Sequence, residues 1–220
     1  MIIRSQYRCS FKSMITDDAI NELANRCKNS FKELLSEGKV CNASFYKYEN
    51  MGFLYLEEIA ESEEKCSINI DKVMSDLKPC LKPWPEENGD IYFVKMINVY
   101  YHHIPEADID LWERERTTSD KERIGRIAFV YPDKLASYVR YHNEIVEEGL
   151  LKGDKYAFIS MHENILFSYY EEPRNNVNIR GIEQESTVIN KWLDADPEAH
   201  FDRVKAKGNN FLVIPCLFTV

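Results

Sequence analysis

The sequence predicts an α+β protein built from two tandem copies of one β-α-β-β-α-β unit. Three observations carry that expectation. Strand-like and helix-like runs occur in the same order in both halves, the two halves align without gaps, and the composition is rich enough in apolar residues to bury cores. The chain has 220 residues, 44% hydrophobic and 12% aromatic, which suits one large domain or two small ones and is unlike a disordered chain.

The elements follow in order. YRCSFKSMI has the β-rich alternation of a strand. From Asp17 to about Gly38, Ile20, Leu23, Cys27, Phe31, Leu34 and Leu35 recur at helical spacing, with Asp17 and Asp18 suited to the start and Gly38 to the end. CNASFYKYE and MGFLYLEEI, parted by little more than Asn50, predict a hairpin. Ile70 to Leu81 reads as a weaker helix stopped by Pro83 and Pro85, and IYFVKMINVYY as a long closing strand. The second half repeats the order. RIAFVYP is a strand, and Leu135 to about Leu151 a helix. YAFISMHEN and ILFSYYEE form a hairpin turning at Glu163 and Asn164. Ser186 to about Val204 is a helix with a break at Pro197, and FLVIPCLFTV a last strand that Pro215 marks as an edge or a bulge.

At an offset of 114, residues 26–58 lie on residues 140–172 with ten identities in 33 positions. Arg26 meets Arg140, Asn29 meets Asn143, and the turn pair Glu49–Asn50 meets Glu163–Asn164. Phe53, Tyr55, Glu57 and Glu58 meet Phe167, Tyr169, Glu171 and Glu172. The register joins helix to helix and hairpin to hairpin, as a duplication requires. Each unit then reads as a ferredoxin-like split-βαβ arrangement, an antiparallel sheet with helices on one face. The bare faces of two such sheets can cover each other, so the expectation is an intramolecular α+β barrel, a pseudo-dimer able to act as a monomer. The first repeat spans 1–103 and the second 123–220. The charged segment 104–122 connects them, anchored by Trp112.

The net charge of −9 and pI of about 5.2 argue against nucleic acid and anionic membranes as partners and suit neutral small molecules. No apolar run approaches the roughly 20 residues that a bilayer needs. MIIRSQYRCSFKSMI lacks a signal peptide's apolar stretch, so a cytoplasmic location is expected. The six cysteines contain no C-x-x-C pair and fit neither a zinc site nor a disulfide framework. His102 and His103, followed by Glu106, Asp108 and Asp110, suggest a metal, but adjacent strand residues point to opposite sides. No metal or cofactor is expected. His162 is expected to face solvent at its hairpin tip, and His200 to be a solvated helix residue.

SYVRYHNEI carries the candidate site. Tyr138 and His142 stand four apart on one helix face, the side that also carries Leu135 and Val146 and faces the sheet. Tyr156, opening the next strand, and Trp192, on the following helix, are placed to approach the same space. From Arg126 to Val220 the chain resembles the L-rhamnose mutarotases, sugar-anomer epimerases of the dimeric α+β barrel superfamily. Arg126-IAFVY-Pro132-Asp133, Tyr138-VRY-His142-Asn143, Tyr156-AFIS, Asn164-Ile165-Leu166-Phe167 and Thr187-VINK-Trp192-Leu193 carry that resemblance.

The resemblance implies a mutarotase that opens and closes a pyranose ring by general acid–base catalysis. His142 would be the acid, and Tyr138 would orient it or relay the proton. Tyr156 and Asn143 would bind the sugar, and Trp192 would pack on it. A histidine with an ordinary pKa of about 6.5 can serve as acid or base near neutrality. The first repeat carries Ala24, Lys28 and Asn42 where Tyr138, His142 and Tyr156 stand, and is expected to hold no site. Two other readings fit the same scaffold. One is a non-catalytic protein that binds a small ligand or regulates a partner, which Leu193 in place of a second tryptophan favours. The other is a cofactor-free oxygenase, which a pocket too apolar for a polyol would favour.

Overall fold

The computed structural model describes residues 1–86, 89–105, 108–174 and 176–220. In chain order the elements are β1 (Ile2–Phe11), α1 (Asp17–Ser36), β2 (Val40–Tyr48), β3 (Met51–Ile59), α2 (Ile70–Val73), β4 (Leu81–Lys82), β5 (Val94–Lys95), β6 (Ile97–Tyr101) and α3 (Ile109–Thr118). Then follow β7 (Glu122–Phe129), α4 (Leu135–Glu148), β8 (Gly153–Asp154), β9 (Phe158–His162), β10 (Ile165–Glu172), β11 (Asn176–Val177), α5 (Thr187–Asp194), β12 (Leu212–Ile214) and β13 (Cys216–Thr219). Every strand pairing among the described residues is antiparallel, so the protein is mixed α+β with antiparallel sheets. It divides into two compact units. The first comprises Met1–Met96, Pro105–Asp120 and Pro215–Val220, and the second Ile97–Ile104 and Lys121–Ile214.

In the first unit the strands run β13-β2-β3-β1-β4, with β5 also pairing β1. Thr16 caps α1 by accepting from the Ala19 amide, Asp17 and Asp18 favour its positive end, and Gly38 lies just past its last turn at φ 68°. The helix buries Ile20, Ala24, Cys27 and Phe31 against Cys9, Phe45, Leu54 and Phe218 of the sheet. Gly52 is required there, because a Cβ would come within 2.5 Å of Cys9 Sγ and 2.8 Å of Phe45.

The charged segment after residue 104 folds as α3, where periodicity gave no helix, because one buried residue anchors it instead of an apolar stripe. Trp112 is fully buried and donates from Nε1 to Glu57 at 3.2 Å, and Arg116 donates to both Glu57 oxygens at 2.8 and 2.9 Å.

In the second unit the order is β12-β7-β10-β9-β6, with a separate β8–β11 ribbon. Tyr138 and Ile145 of α4 pack on Ala128, Val130, Ile159 and Leu166 of the sheet. Gly149 at φ 68° ends the helix, returning its N–H to the Ile145 carbonyl. The hairpins of the two units repeat in detail. Glu49 and Glu163 both take positive φ. Asn50 and Asn164 carbonyls accept from Phe11 and Val130 at 2.7 and 2.9 Å. Tyr55 and Tyr169 hydroxyls donate to Glu57 and Glu171 at 2.6 and 2.5 Å.

Several expectations change. The long strand expected from Ile91 is two short ones, and β6 pairs with β9 in the second unit's sheet. The last strand is broken at Pro215, which has no N–H to give a ladder, and β13 pairs with β2 in the first unit's sheet. Both expected second helices are short. Ile70–Val73 passes into a 3-10 turn, Ser75–Cys80, that contains Pro79, and Thr187–Asp194 is followed by another at Pro197–His200. His102 and His103 do not diverge. The strand ends at Tyr101 and the chain bends, so the imidazoles stack at 4.8 Å with their Nδ1 atoms 2.7 Å apart. Glu106 lies outside the described residues. His162 is half-buried rather than solvent-facing. His200 is buried, its Nε2 2.9 Å from Ser137 Oγ, and not a solvated helix residue. No helix among the described residues is long and apolar enough to cross a membrane.

Candidate functional site

A cavity of about 440 Å³ lies within the second unit, between α4, α5 and the sheet. The i, i+4 spacing on α4 brings Tyr138 and His142 to it, and the next turn adds Ile145. Trp192 and Ile189 line it from α5, Arg126, Ile159 and Tyr170 from the sheet, and Asp154 from β8. Tyr100 of β6 completes the wall, so a strand early in the sequence contributes to a pocket of the later half.

The aromatic groups form one packed set. Tyr138 stacks on His142 with ring centres 3.9 Å apart and planes 26° apart. Trp192 meets His142 edge-on at 5.3 Å, and Tyr100 does so at 6.0 Å. His142 Nδ1 lies 2.8 Å from the Tyr138 carbonyl. A carbonyl only accepts, so Nδ1 carries the hydrogen and Nε2 keeps its lone pair. Burial drives the His142 pKa down to about 4 against the opposing effect of that hydrogen bond, so the ring is neutral at pH 7. The Tyr138 hydroxyl is buried without a hydrogen-bond partner, and burial raises its pKa.

Polar groups are few. Arg126 donates from Nε to Ser168 Oγ at 3.1 Å, and its guanidinium lies 4.8 Å from the Tyr170 ring and 4.4 Å from Phe211. Asp154 accepts the Glu171 amide on Oδ2 while Oδ1 has no partner, and burial pushes its pKa up to about 6. Elsewhere, Cys41, Glu57 and Glu113 bring possible metal-ligand atoms within 4.8 Å of one another. Arg116 already pairs with both carboxylates, at 2.8 and 2.5 Å, and burial pushes the Cys41 thiol up to about 12, so this cluster is compensated without an ion.

Of the residues expected from the sequence, His142, Tyr138 and Trp192 line the cavity, and Tyr156 and Asn143 do not. Asn143 is exposed, one helical step around α4 from His142. Tyr156 is fully buried elsewhere, with Lys121 and Lys155 ammonium groups each 5.6 Å from its ring. The short β8 precedes Tyr156 and puts Asp154 on the cavity in its place. Arg126, Asp154, Tyr100 and Tyr170 were missed as site residues. Strand alternation was the available signal: Arg126 shares its face with Ala128, which packs under α4.

Fold and site together define an α+β protein with a cavity of mostly aromatic and aliphatic walls in its second unit. No family model matches the chain, and no curated protein matches it. It is similar to a solved structure described as a "putative monooxygenase" from Fusobacterium nucleatum, with 10% identity over 99% of this chain and 93% of that one and a TM-score of 0.43. A structure described in the same words from Lactobacillus acidophilus gives 4% identity over 100% and 95%, with a TM-score of 0.44. A "putative chlorite dismutase" gives 10% over 97% and 94%, with a TM-score of 0.41.

The expectation of a mutarotase acting on a sugar such as L-rhamnose is corrected. The physical reason lies in the cavity. An imidazole neutral at pH 7 is not the acid that ring opening needs. The two residues expected to hold sugar hydroxyls, Tyr156 and Asn143, are not at the cavity, whose walls are mostly aromatic and aliphatic.

Proposed function

We propose that the second unit is an oxygenase-like enzyme that binds a flat, apolar substrate and activates it by removing a proton. The observation that carries this reading is the neutral His142 ring, held by the Tyr138 carbonyl so that Nε2 is the basic atom, in a pocket of mostly aromatic and aliphatic walls. A pocket of this size and lining suits a small aromatic molecule. A neutral imidazole has a free lone pair to take a proton, and burial, by lowering its pKa to about 4, makes it a weaker base than an ordinary histidine.

The chemistry balances without any group beyond substrate and dioxygen. His142 Nε2 takes a proton from an acidic methylene of the substrate. The carbanion passes an electron to dioxygen, and the radical pair combines to a peroxide that takes the proton back. Loss of water then leaves a carbonyl: R₂CH₂ + O₂ → R₂C=O + H₂O.

The same reading takes 1–103 and 123–220 as duplicated ferredoxin-like repeats, the first without a site of its own. The matching hairpin bonds of Asn50 and Asn164, and of Tyr55 and Tyr169, support it.

Dioxygen consumption with polycyclic aryl ketones that carry an acidic CH₂ tests the proposal. The wild type is expected to consume oxygen with one carbonyl formed per O₂. His142→Ala is expected to lower the rate about 10²–10⁴-fold, the usual worth of a general base. Binding without oxygen uptake, or a rate indifferent to His142, defeats the oxygenase reading.

A further inference from the structure

A cation, Arg126, lines the cavity. The Arg126 guanidinium is mostly enclosed and held between the Tyr170 and Phe211 rings, and its one hydrogen bond goes to a neutral hydroxyl, Ser168 Oγ. No carboxylate among the described residues forms an ion pair with it. The neighbouring Arg174 also lies on the cavity, 4.2 Å from the Tyr170 ring, and pairs with Glu172 at 3.4 Å. Burial and Arg174 act against the Arg126 charge, and Tyr170, Tyr138 and Glu172 act in its favour without outweighing burial. A guanidinium cannot shed its proton to escape that cost, so an enclosed, unpaired arginine is expensive to keep unless something pairs with it. A second group points the same way. The Tyr138 hydroxyl is buried on the same cavity, close enough to Arg126 to feel its charge, and has no acceptor for its hydrogen.

We propose that this pocket is built for an organic anion, a flat apolar molecule bearing one carboxylate, which pairs with Arg126 and accepts the Tyr138 hydroxyl. The inference rests on the reading of the cavity as a substrate site and names the substrate's class. The aromatic walls take the ring, the planar guanidinium suits a carboxylate edge, and Tyr170 and Phe211 hold that guanidinium in orientation by stacking. The protein's net charge of −9 suggests neutral ligands, and the local field of this wall reverses that expectation.

Calorimetric titration with 2-naphthoate and with its neutral isostere 2-naphthamide tests the proposal directly on the wild type. Naphthoate is expected to bind at least 10-fold more tightly. Arg126→Leu is expected to abolish that preference and leave naphthamide affinity within about 2-fold. Arg126→Lys, which keeps the charge and loses the planar fork, is expected to retain only part of the preference.

Equal affinities for the two ligands in the wild type overturn the inference, as does a preference that survives in Arg126→Leu. If Arg126→Leu does not fold, the guanidinium is structural and the inference falls with it. Oxygen uptake run in parallel keeps the two readings apart. Uptake with neutral substrates and no carboxylate preference overturns the anion site alone. Carboxylate preference without uptake upholds the anion site and defeats the oxygenase reading.

Discussion

His142 shows how burial decides what a residue can do. In water its pKa would be about 6.5, and in the fold it is about 4, because the ring is enclosed by Tyr138, Tyr100 and Trp192. Unfolding at a pH between these values takes up a proton. His142 therefore contributes stability that is fully present above pH 6.5 and is lost as pH falls through 4, on the order of 3 kcal/mol from a shift of this size. Urea unfolding between pH 7.5 and 4 is expected to show this loss in the wild type, with a visibly shallower fall in His142→Leu. Identical pH profiles for the two proteins would mean that the ring titrates in the open. The pair was legible in the sequence because i and i+4 share a helix face. For Arg126 the sequence offered only strand alternation with Ala128, because which side of a sheet the helices cover is settled by the fold.

At the scale of elements, α3 is held by one charged anchor. Burial pushes the Glu57 carboxyl up, but the Arg116 guanidinium and the Tyr55 hydroxyl outweigh it and hold the group below its usual range. Arg116→Met would leave that carboxylate enclosed without its cation, at a cost of about 3–5 kcal/mol. Denaturant midpoints should report the loss, and Glu57→Gln added to Arg116→Met should restore part of it. A double variant no more stable than the single one would show that Arg116 acts by packing. The sequence hid this helix because a single tryptophan among charges has no periodicity. Helices with an apolar stripe, α1 and α4, were legible for the opposite reason.

At the scale of the molecule, each unit's sheet ends in a strand from the far half of the sequence, β13 beside β2 and β6 beside β9. Phe218, near the C-terminus, is buried against Phe31 and Phe45 of the first unit, with ring centres at 5.9 and 5.7 Å. Phe218→Ala should cost about 3–5 kcal/mol. Amide exchange should speed up across Val40–Tyr48 more than across Glu122–Phe129, although Phe218 follows β12 of the second unit by only a few residues. Faster exchange confined to Glu122–Phe129 would contradict the pairing.

The sequence by itself determined the antiparallel α+β class, the two hairpins with their turns, the long helices, and the stacking of a tyrosine and a histidine on one helix. Each of these depends on contacts between residues close along the chain, whose spacing is visible in one dimension. Only the tertiary structure decided which sheet the terminal strands join, that Tyr156 turns away while Asp154, Arg126 and Tyr100 reach the cavity, and that the imidazole is neutral. Those outcomes depend on strand partners and on enclosure by distant residues, and burial is a property of the assembled fold that no local pattern encodes.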